Sequence, residues 1–489
     1  MRSAVGHWQV AVIGAGPGGL GLAIALAESG RHDFVLLEAT DGVGGTWRTN
    51  TYPGAACDVP SHLYSYSFAL KPDWTKTYAP QPEILEYFED CADRFDIRPH
   101  LRTGVRIVSA HWNERVRRWT LHADDGRTYE ADVVVSAIGT FAEPSVPDID
   151  DLDSFAGPCF HSARWEHEHD LTGRRVAVIG TGASAAQIVP ELAHVCASVT
   201  VFQRTAQWML PRKDTLFSEE EKERFAQEPE ELRKHREAIF WAYENNIAFL
   251  VDDDGAAELA AMAQSHLDYR IDDEELKAKL TPDQPFGCKR TLVCSEFYKA
   301  LLRDNVELVS DRIARVSPGG IVTEDERERP FDAVVLATGF RATEYLEGID
   351  VVGLRGRHLH DDWDEAQVAQ AYLGLSVSGY PNFFMLYGPN TNQGGNSIIV
   401  ILEAQAGYVV SALEAMARTG ADALHVRREV MEAYNEDLVR ALEGTVWSQD
   451  GCQSYFKNAN GRIATQLPRT SLWYAEHTKE FNVEEYERV

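Results

Sequence analysis

Val10-Ala11-Val12-Ile13-Gly14-Ala15-Gly16-Pro17-Gly18-Gly19 reads as a short apolar strand that runs into a Gly-rich turn and then a helix. Its neighbours complete the unit. Leu20 to Glu28 has helical composition, and Phe34-Val35-Leu36-Leu37 is a second buried strand that ends at Glu38. This is a βαβ unit with a dinucleotide-binding turn in context: glycines admit a pyrophosphate close to backbone, and the helix N-terminus favours its charge. The plan repeats at Val176-Ala177-Val178-Ile179-Gly180-Thr181-Gly182-Ala183-Ser184-Ala185, with strands at 175–179 and 199–203 and a helix over about 184–194. Ala185 stands in place of a third glycine and is small enough for close helix–strand packing.

The copies differ at the residue expected to grip a ribose. Glu38 follows Gly14 at the same offset as Arg204 follows Gly180. A carboxylate there accepts hydrogen bonds from ribose hydroxyls, whereas a guanidinium favours a 2′-phosphate. The chain is therefore expected to bind FAD first, through Gly14, Gly16, Pro17, Gly19 and Glu38. NADPH is expected second, through Gly180, Thr181, Gly182, Ala183, Ser184, Ala185, Gln187 and Arg204.

Two more apolar strands, 132–136 and 332–336, each lead to a glycine (Gly139, Gly339) at a similar distance after a βαβ unit, as if closing the same sheets. The expected fold is α/β, with two Rossmann-like dinucleotide-binding domains. Residues 1–145 form the first segment of the FAD domain. Residues 146–335 form the NADP domain with a helical insertion at about 215–280, and 336–489 return to the first domain. The insertion is rich in Glu, Lys, Ala and Arg, and its charge runs read as solvated faces.

Composition narrows the class. The 489 residues are 44% hydrophobic, enough for a large core, and 76 acidic against 47 basic residues leave a net charge of −29. That excess opposes binding to nucleic acid or an anionic membrane. Seven cysteines contain no C-x-x-C pair. Their odd number argues against a fully paired disulfide framework and their scatter against a zinc site, so a reducing compartment and a cytoplasmic location are expected. The first strand begins too early to leave room for a signal peptide, and no apolar run is read as approaching the roughly 20 residues that cross a bilayer.

Three further motifs carry a family resemblance. Phe155-Ala156-Gly157-Pro158-Cys159-Phe160-His161-Ser162-Ala163-Arg164-Trp165-Glu166 resembles the F-x-G-x-x-x-H-x-x-x-W-[P/D] pattern of type I flavin-dependent Baeyer–Villiger monooxygenases, with Glu166 departing at the last position. Gly44-Gly45-Thr46-Trp47 through Tyr52-Pro53-Gly54 to Asp58 is similar to a second pattern of that family, and Gly287-Cys288-Lys289-Arg290 carries its Lys-Arg pair. The return segment Tyr380–Ser397 and a C-terminal lid with Trp447, Cys452 and Tyr455 are also similar.

The resemblance implies FAD and NADPH as cofactors and a small-molecule ketone and O2 as substrates. One oxygen atom enters beside the carbonyl, giving an ester or lactone through a C4a-peroxyflavin. Gly45, Thr46, Trp47, Tyr64, Val105, Asn396 and Ser397 are assigned by it to the flavin. Thr205 and Lys289 join Arg204 at the 2′-phosphate, and Tyr455 faces the nicotinamide. Arg290, oriented by Asp58, is the implied catalytic cation; His161 is given linker work. N- or S-oxygenation is the alternative, against which Trp165 and Arg290 argue. Disulfide reduction lacks its C-x-x-C, and a sensor with a retired site is opposed by Asp58 and Arg290.

Overall fold

The computed structural model describes residues 5–246 and 253–489. Its two largest sheets grow from the two Gly-rich units. In the first, β1 (His7–Ile13) leads through α1 (Pro17–Glu28) to β2 (Phe34–Leu37), parallel to it. β3 (Thr128–Ser136) lies on the other side of β1, Val10 opposite Val133 and Ile13 opposite Ser136. The eight-stranded sheet extends through the antiparallel strands Arg118–Ala123 and Ile107–Asn113, and Phe383–Met385 and Asp350–Val352 return to it from late in the chain. Val10, Ala11 and Val12 are buried on both faces, as parallel central strands require.

The second sheet has five parallel strands. β4 (Arg175–Ile179), α2 (Ala183–Val195) and β5 (Ser198–Phe202) form its βαβ unit. β6 (Ala333–Leu336) pairs with β4 and with Cys159–His161, and Val306–Val309 pairs with β5. Between β5 and β6 come α3 (Glu219–Gln227), α4 (Pro229–Asn246), α5 (Asp253–Arg270) and α6 (Glu274–Leu280). Ser218 and Glu221 start α3 with reciprocal side-chain caps.

One glycine in each unit shows why the turns are built alike. Gly14 has φ +99, and an added Cβ would lie 2.7 Å from the Ala137 carbonyl oxygen; Gly180 has φ +115 and faces the Ala337 carbonyl oxygen at 2.3 Å. The strand that closes each sheet thus packs directly on the nucleotide turn. Gly180→Ala combines a left-handed backbone with overpacking and is expected to cost more than about 2 kcal/mol. Gly182 has nothing within 4 Å of its Cβ position. Gly182→Ala should leave Tm unchanged and weaken NADPH binding; thermal melts and NADPH titration of the two variants check the contrast.

One sequence expectation is corrected here, and another is extended. α7 (Ile398–Thr419) is long and apolar enough to cross a membrane by length and composition. It is instead the central helix of the first core, packed along α1, with Ile399, Ile401 and Val409 wholly buried. The cysteines are not all single: Cys288 and Cys452 form a disulfide across 164 positions, while Cys57, Cys91, Cys159, Cys196 and Cys294 are free. Only the folded chain brings residues so far apart together, so spacing held no sign of the pair.

Candidate active site

Both Gly-rich turns open into one cavity of about 1980 Å³, roughly twice the upper end for a single drug-sized ligand. Gly16 and Gly182 are the N-caps of α1 and α2, and neither N-terminus has a side-chain cap. Uncapped backbone N–H groups there suit a pyrophosphate. Gly14, Gly16 and Pro17 line the first half and Gly180, Thr181, Gly182, Ala183 and Ser184 the second. Gly19 and Ala185 are buried beneath the turns; a Cβ on Gly19 would meet the Gly14 carbonyl oxygen at 1.9 Å, so its work is packing.

Glu38 reaches the cavity wall at the end of β2. Its carboxylate accepts from the Ala15 N–H at 2.7 Å, the Thr40 N–H at 2.7 Å and the Thr40 hydroxyl at 2.8 Å. It therefore fixes the first turn as well as facing the ligand space. Gly45, Thr46, Trp47, Tyr64 and Val105 line the same half. Trp47 Nε1 donates to the Tyr64 hydroxyl at 2.9 Å, with the rings edge to face, which leaves a flat indole beside the expected flavin position.

The second half carries a close pair of cations, Lys289 and Arg204, only partly offset by the Asp283 charge. Lys289 Nζ donates to Thr205 Oγ1 at 2.7 Å, and Arg204 lies beside it on the wall. Neither makes an ion pair among the described residues. Lost hydration, then the Arg204 charge, lowers the Lys289 amine below its ordinary range. Two adjacent cations with no carboxylate in contact suit a 2′-phosphate. The sign follows: Lys289 is charged below its lowered pKa, so KM for NADPH should begin to rise at a lower pH than for an ordinary lysine. Lys289→Met should raise KM throughout and flatten that rise, as steady-state pH profiles will show.

Asp58 and Arg290, 232 positions apart, meet where the halves join. Arg290 Nε donates to Asp58 Oδ2 at 3.0 Å and a terminal nitrogen donates to both carboxylate oxygens at 2.8 Å. The Asp58 carboxylate raises the Arg290 guanidinium above its already high range, so it is cationic at every working pH. The Asp58 loop is seated on the second unit. Tyr52 donates to Gln187 Oε1 at 2.9 Å, Gln187 Nε2 donates to the Ala56 carbonyl at 2.9 Å, and Gly54 lies against the backbone of α2. Gln187 therefore carries an inter-sheet contact as well as lining the cavity.

Several placements refine the sequence reading. Ser397 is wholly buried; it accepts from the Ile399 N–H as the N-cap of α7 and does not reach the cavity wall, whereas Asn396 does. Asn396 Nδ2 donates at 2.7 Å to Glu244, whose other oxygen accepts from the Leu472 N–H at 2.9 Å. Glu244 is a buried residue of α4, so the charges of the insertion are not all solvated faces. His161 ends its strand with Nδ1 accepting from the Ala163 N–H at 3.0 Å, and burial lowers its pKa to about 4, in keeping with linker work. Trp165 packs edge to face on Phe160.

Two tyrosines complete the wall near Arg290. Tyr387 has φ +57, a left-handed backbone that a bulky residue holds only under constraint. Its N–H donates to buried Gln405 at 2.8 Å and its hydroxyl to Asn392 at 2.7 Å. Tyr455 arrives from the C-terminal segment, and burial raises its phenol pKa to about 12, so it lines the cavity as a neutral hydroxyl. Tyr387 lies in the return segment Tyr380–Ser397, where the Tyr-Gly-Pro run before a helix was the available sign.

Comparisons with known proteins agree with this geometry. A family model described as pyridine nucleotide-disulphide oxidoreductase matches residues 11–267, which include both Gly-rich turns. A Baeyer-Villiger monooxygenase of Pseudomonas aeruginosa is 40% identical over 486 residues, 99% of this chain and 92% of that protein. One of Streptomyces coelicolor is 41% identical over 483 residues, 98% of this chain and 92% of the relative. The crystal structure of OTEMO in complex with FAD and NADP matches with a TM-score of 0.89 at 29% identity, covering 100% of both chains. Likeness of this extent settles the assignment: the chain belongs to the flavin-dependent Baeyer–Villiger monooxygenases.

Proposed function

We propose that this chain uses FAD and NADPH to insert one oxygen atom of O2 beside the carbonyl of a small ketone, releasing an ester or lactone and water. The observation that carries this reading is the bidentate Asp58–Arg290 pair on the wall shared by the two nucleotide sites. When bound, FAD reduced by NADPH supplies the activated oxygen. The residues of the chain do the rest. The N-termini of α1 and α2 hold the pyrophosphates, and Glu38 holds the ribose of FAD. Arg204, Thr205 and Lys289 select NADPH by its 2′-phosphate.

Arg290 stabilises negative charge on the attacking oxygen and on the carbonyl oxygen of the adduct, an effect worth about 3–4 kcal/mol per donor in comparable sites. Asp58 keeps the guanidinium from rotating away. A permanent cation favours an anionic, carbonyl-seeking oxidant over the protonated one needed for N- or S-oxygenation. The division into an FAD domain (1–145 with 336–489) and an NADP domain (146–335) is supported by the sheet to which each segment contributes. A cytoplasmic location is part of the same reading.

The test is a panel of cyclic, aryl, long aliphatic and steroidal ketones incubated with enzyme, FAD, NADPH and oxygen. A product heavier by one oxygen atom is expected from at least one class. Consumption of NADPH with every ketone recovered unchanged, or with only amines or sulfides oxidised, contradicts the reading.

A further inference from the structure

Arg290 and Tyr455 reach the same cavity from segments far apart in the sequence. Arg290 comes from the loop before Leu292–Val293, Tyr455 from the segment that follows Val446–Ser448. A small apolar cluster, separate from both main cores, fastens these segments together: Cys288 and Cys452 lie in it beside Leu438, Trp447 and Phe456. Cys288 stands two places before Arg290, and Cys452 three before Tyr455. The disulfide between them is itself buried, with Cα atoms 5.4 Å apart, and Trp447 Nε1 donates to the Gly287 carbonyl at 3.1 Å alongside it. Each cysteine follows a glycine with a left-handed backbone, Gly287 at φ +82 and Gly451 at φ +83. Nothing lies within 4 Å of a Cβ placed on Gly451, so that segment has room to turn if the bond is cut.

We propose that the Cys288–Cys452 disulfide is a positioning link that holds the Arg290 loop and the Tyr455 segment together as one wall of the cavity. Cutting it with a dithiol admits water and diverts NADPH oxidation to hydrogen peroxide. The inference rests on the oxygenating function proposed above. A dithiol breaks the S–S bond by giving two electrons and two protons, leaving two cysteine thiols and its own disulfide. Hydrogen peroxide reverses this: the two thiols lose two electrons and two protons, the S–S bond forms, the O–O bond breaks and two waters leave. Turnover without ketone converts NADPH, a proton and O2 into NADP⁺ and hydrogen peroxide. A loosened site therefore makes the oxidant that refastens it. Disulfides that form in reducing compartments are mostly catalytic or redox-sensing, which suits such a link. Burial pushes the free thiols of Cys91 and Cys196 up to about 11, away from the thiolate that attacks peroxide.

The experiment uses FAD-loaded enzyme without ketone and measures hydrogen peroxide released and NADPH consumed. Treatment with dithiothreitol, followed by its removal, should raise peroxide release about fivefold or more with KM for NADPH held within about twofold. One equivalent of hydrogen peroxide should restore the slow rate. Cys452→Ser should be fast and indifferent to both treatments. A peptide map without reductant should contain the Cys288–Cys452 cross-linked peptide. Wild-type rates in the reduced enzyme and in Cys452→Ser, even with a lowered Tm, overturn the proposal, because the bond is then only structural. Loss of FAD or unfolding on reduction overturns it equally. If Cys452→Ser does not fold, wild-type enzyme reduced and alkylated decides the matter. A chain that makes no ester from any ketone contradicts the proposed function, while the ketone-free readout still decides this inference.

Discussion

Arg290→Ala reduces its flavin with NADPH at close to the wild-type rate and forms ester about 10²- to 10³-fold more slowly, the usual cost of removing one charge-stabilising donor. The reasoning is geometric. The guanidinium is held by Asp58 through three donor contacts on the wall shared by both nucleotide sites, and it makes no contact with the 2′-phosphate cluster at Lys289. Hydride transfer therefore does not need it, whereas charge growing on the reacting oxygens does. Truncation also strands the Asp58 carboxylate without its cation, which adds an unfavourable charge beside the reaction. Arg290→Lys keeps a positive charge but cannot form the two-pronged bond to Asp58, so its rate should lie between those of wild type and Ala. Stopped-flow flavin reduction and ester quantitation on the same preparations check both. Normal ester formation by Arg290→Ala removes the role assigned to the residue.

Arg204→Ala lowers the preference for NADPH over NADH by about 10- to 100-fold, the value of a charge-assisted contact to phosphate. The loss falls on NADPH alone: KM for NADPH rises and that for NADH stays near its starting value. Lys289 and Thr205 remain in place, bonded to each other at 2.7 Å, so some selectivity persists in the single variant. Removing Lys289 as well should erase it. The residues share one phosphate, so the double variant is expected to fall short of the sum of the two single losses. Steady-state kinetics with both nucleotides provide the measurement. An unchanged preference places the 2′-phosphate elsewhere.

What was legible in the sequence was mostly local. A Gly-rich turn between a buried strand and a helix dictates its own backbone, so β1, α1 and β2 and their counterparts β4, α2 and β5 could be read from adjacent residues. Arg118–Ala123 was missed although its residues alternate between half-buried and buried and the Asp125-Gly126 turn ties it antiparallel to β3; the signal lay in the sequence unread. α7 shows the limit of composition: a largely apolar helix of twenty-two residues describes a membrane span and a core helix equally, and only the partner, α1, separates them.

Within the site, the Asp58–Arg290 contact bridges 232 positions. It was accessible through family resemblance and not through spacing, since nothing in either local run names the other. Cys288–Cys452 had no such aid, and Glu244 was hidden in a charged insertion that reads as solvent-facing. Ser397 has a role that the sequence left unread. A small polar residue before a helix near the flavin segment is as well suited to cap that helix as to touch a ligand, and here it caps.

Turnover under ¹⁸O₂ with an accepted ketone, with NADPH, hydrogen peroxide and product counted together, tests the central claim most directly. The account predicts one labelled oxygen atom in the ester for nearly every NADPH consumed, with little peroxide. Unlabelled ketone recovered beside an equivalent of labelled peroxide contradicts it.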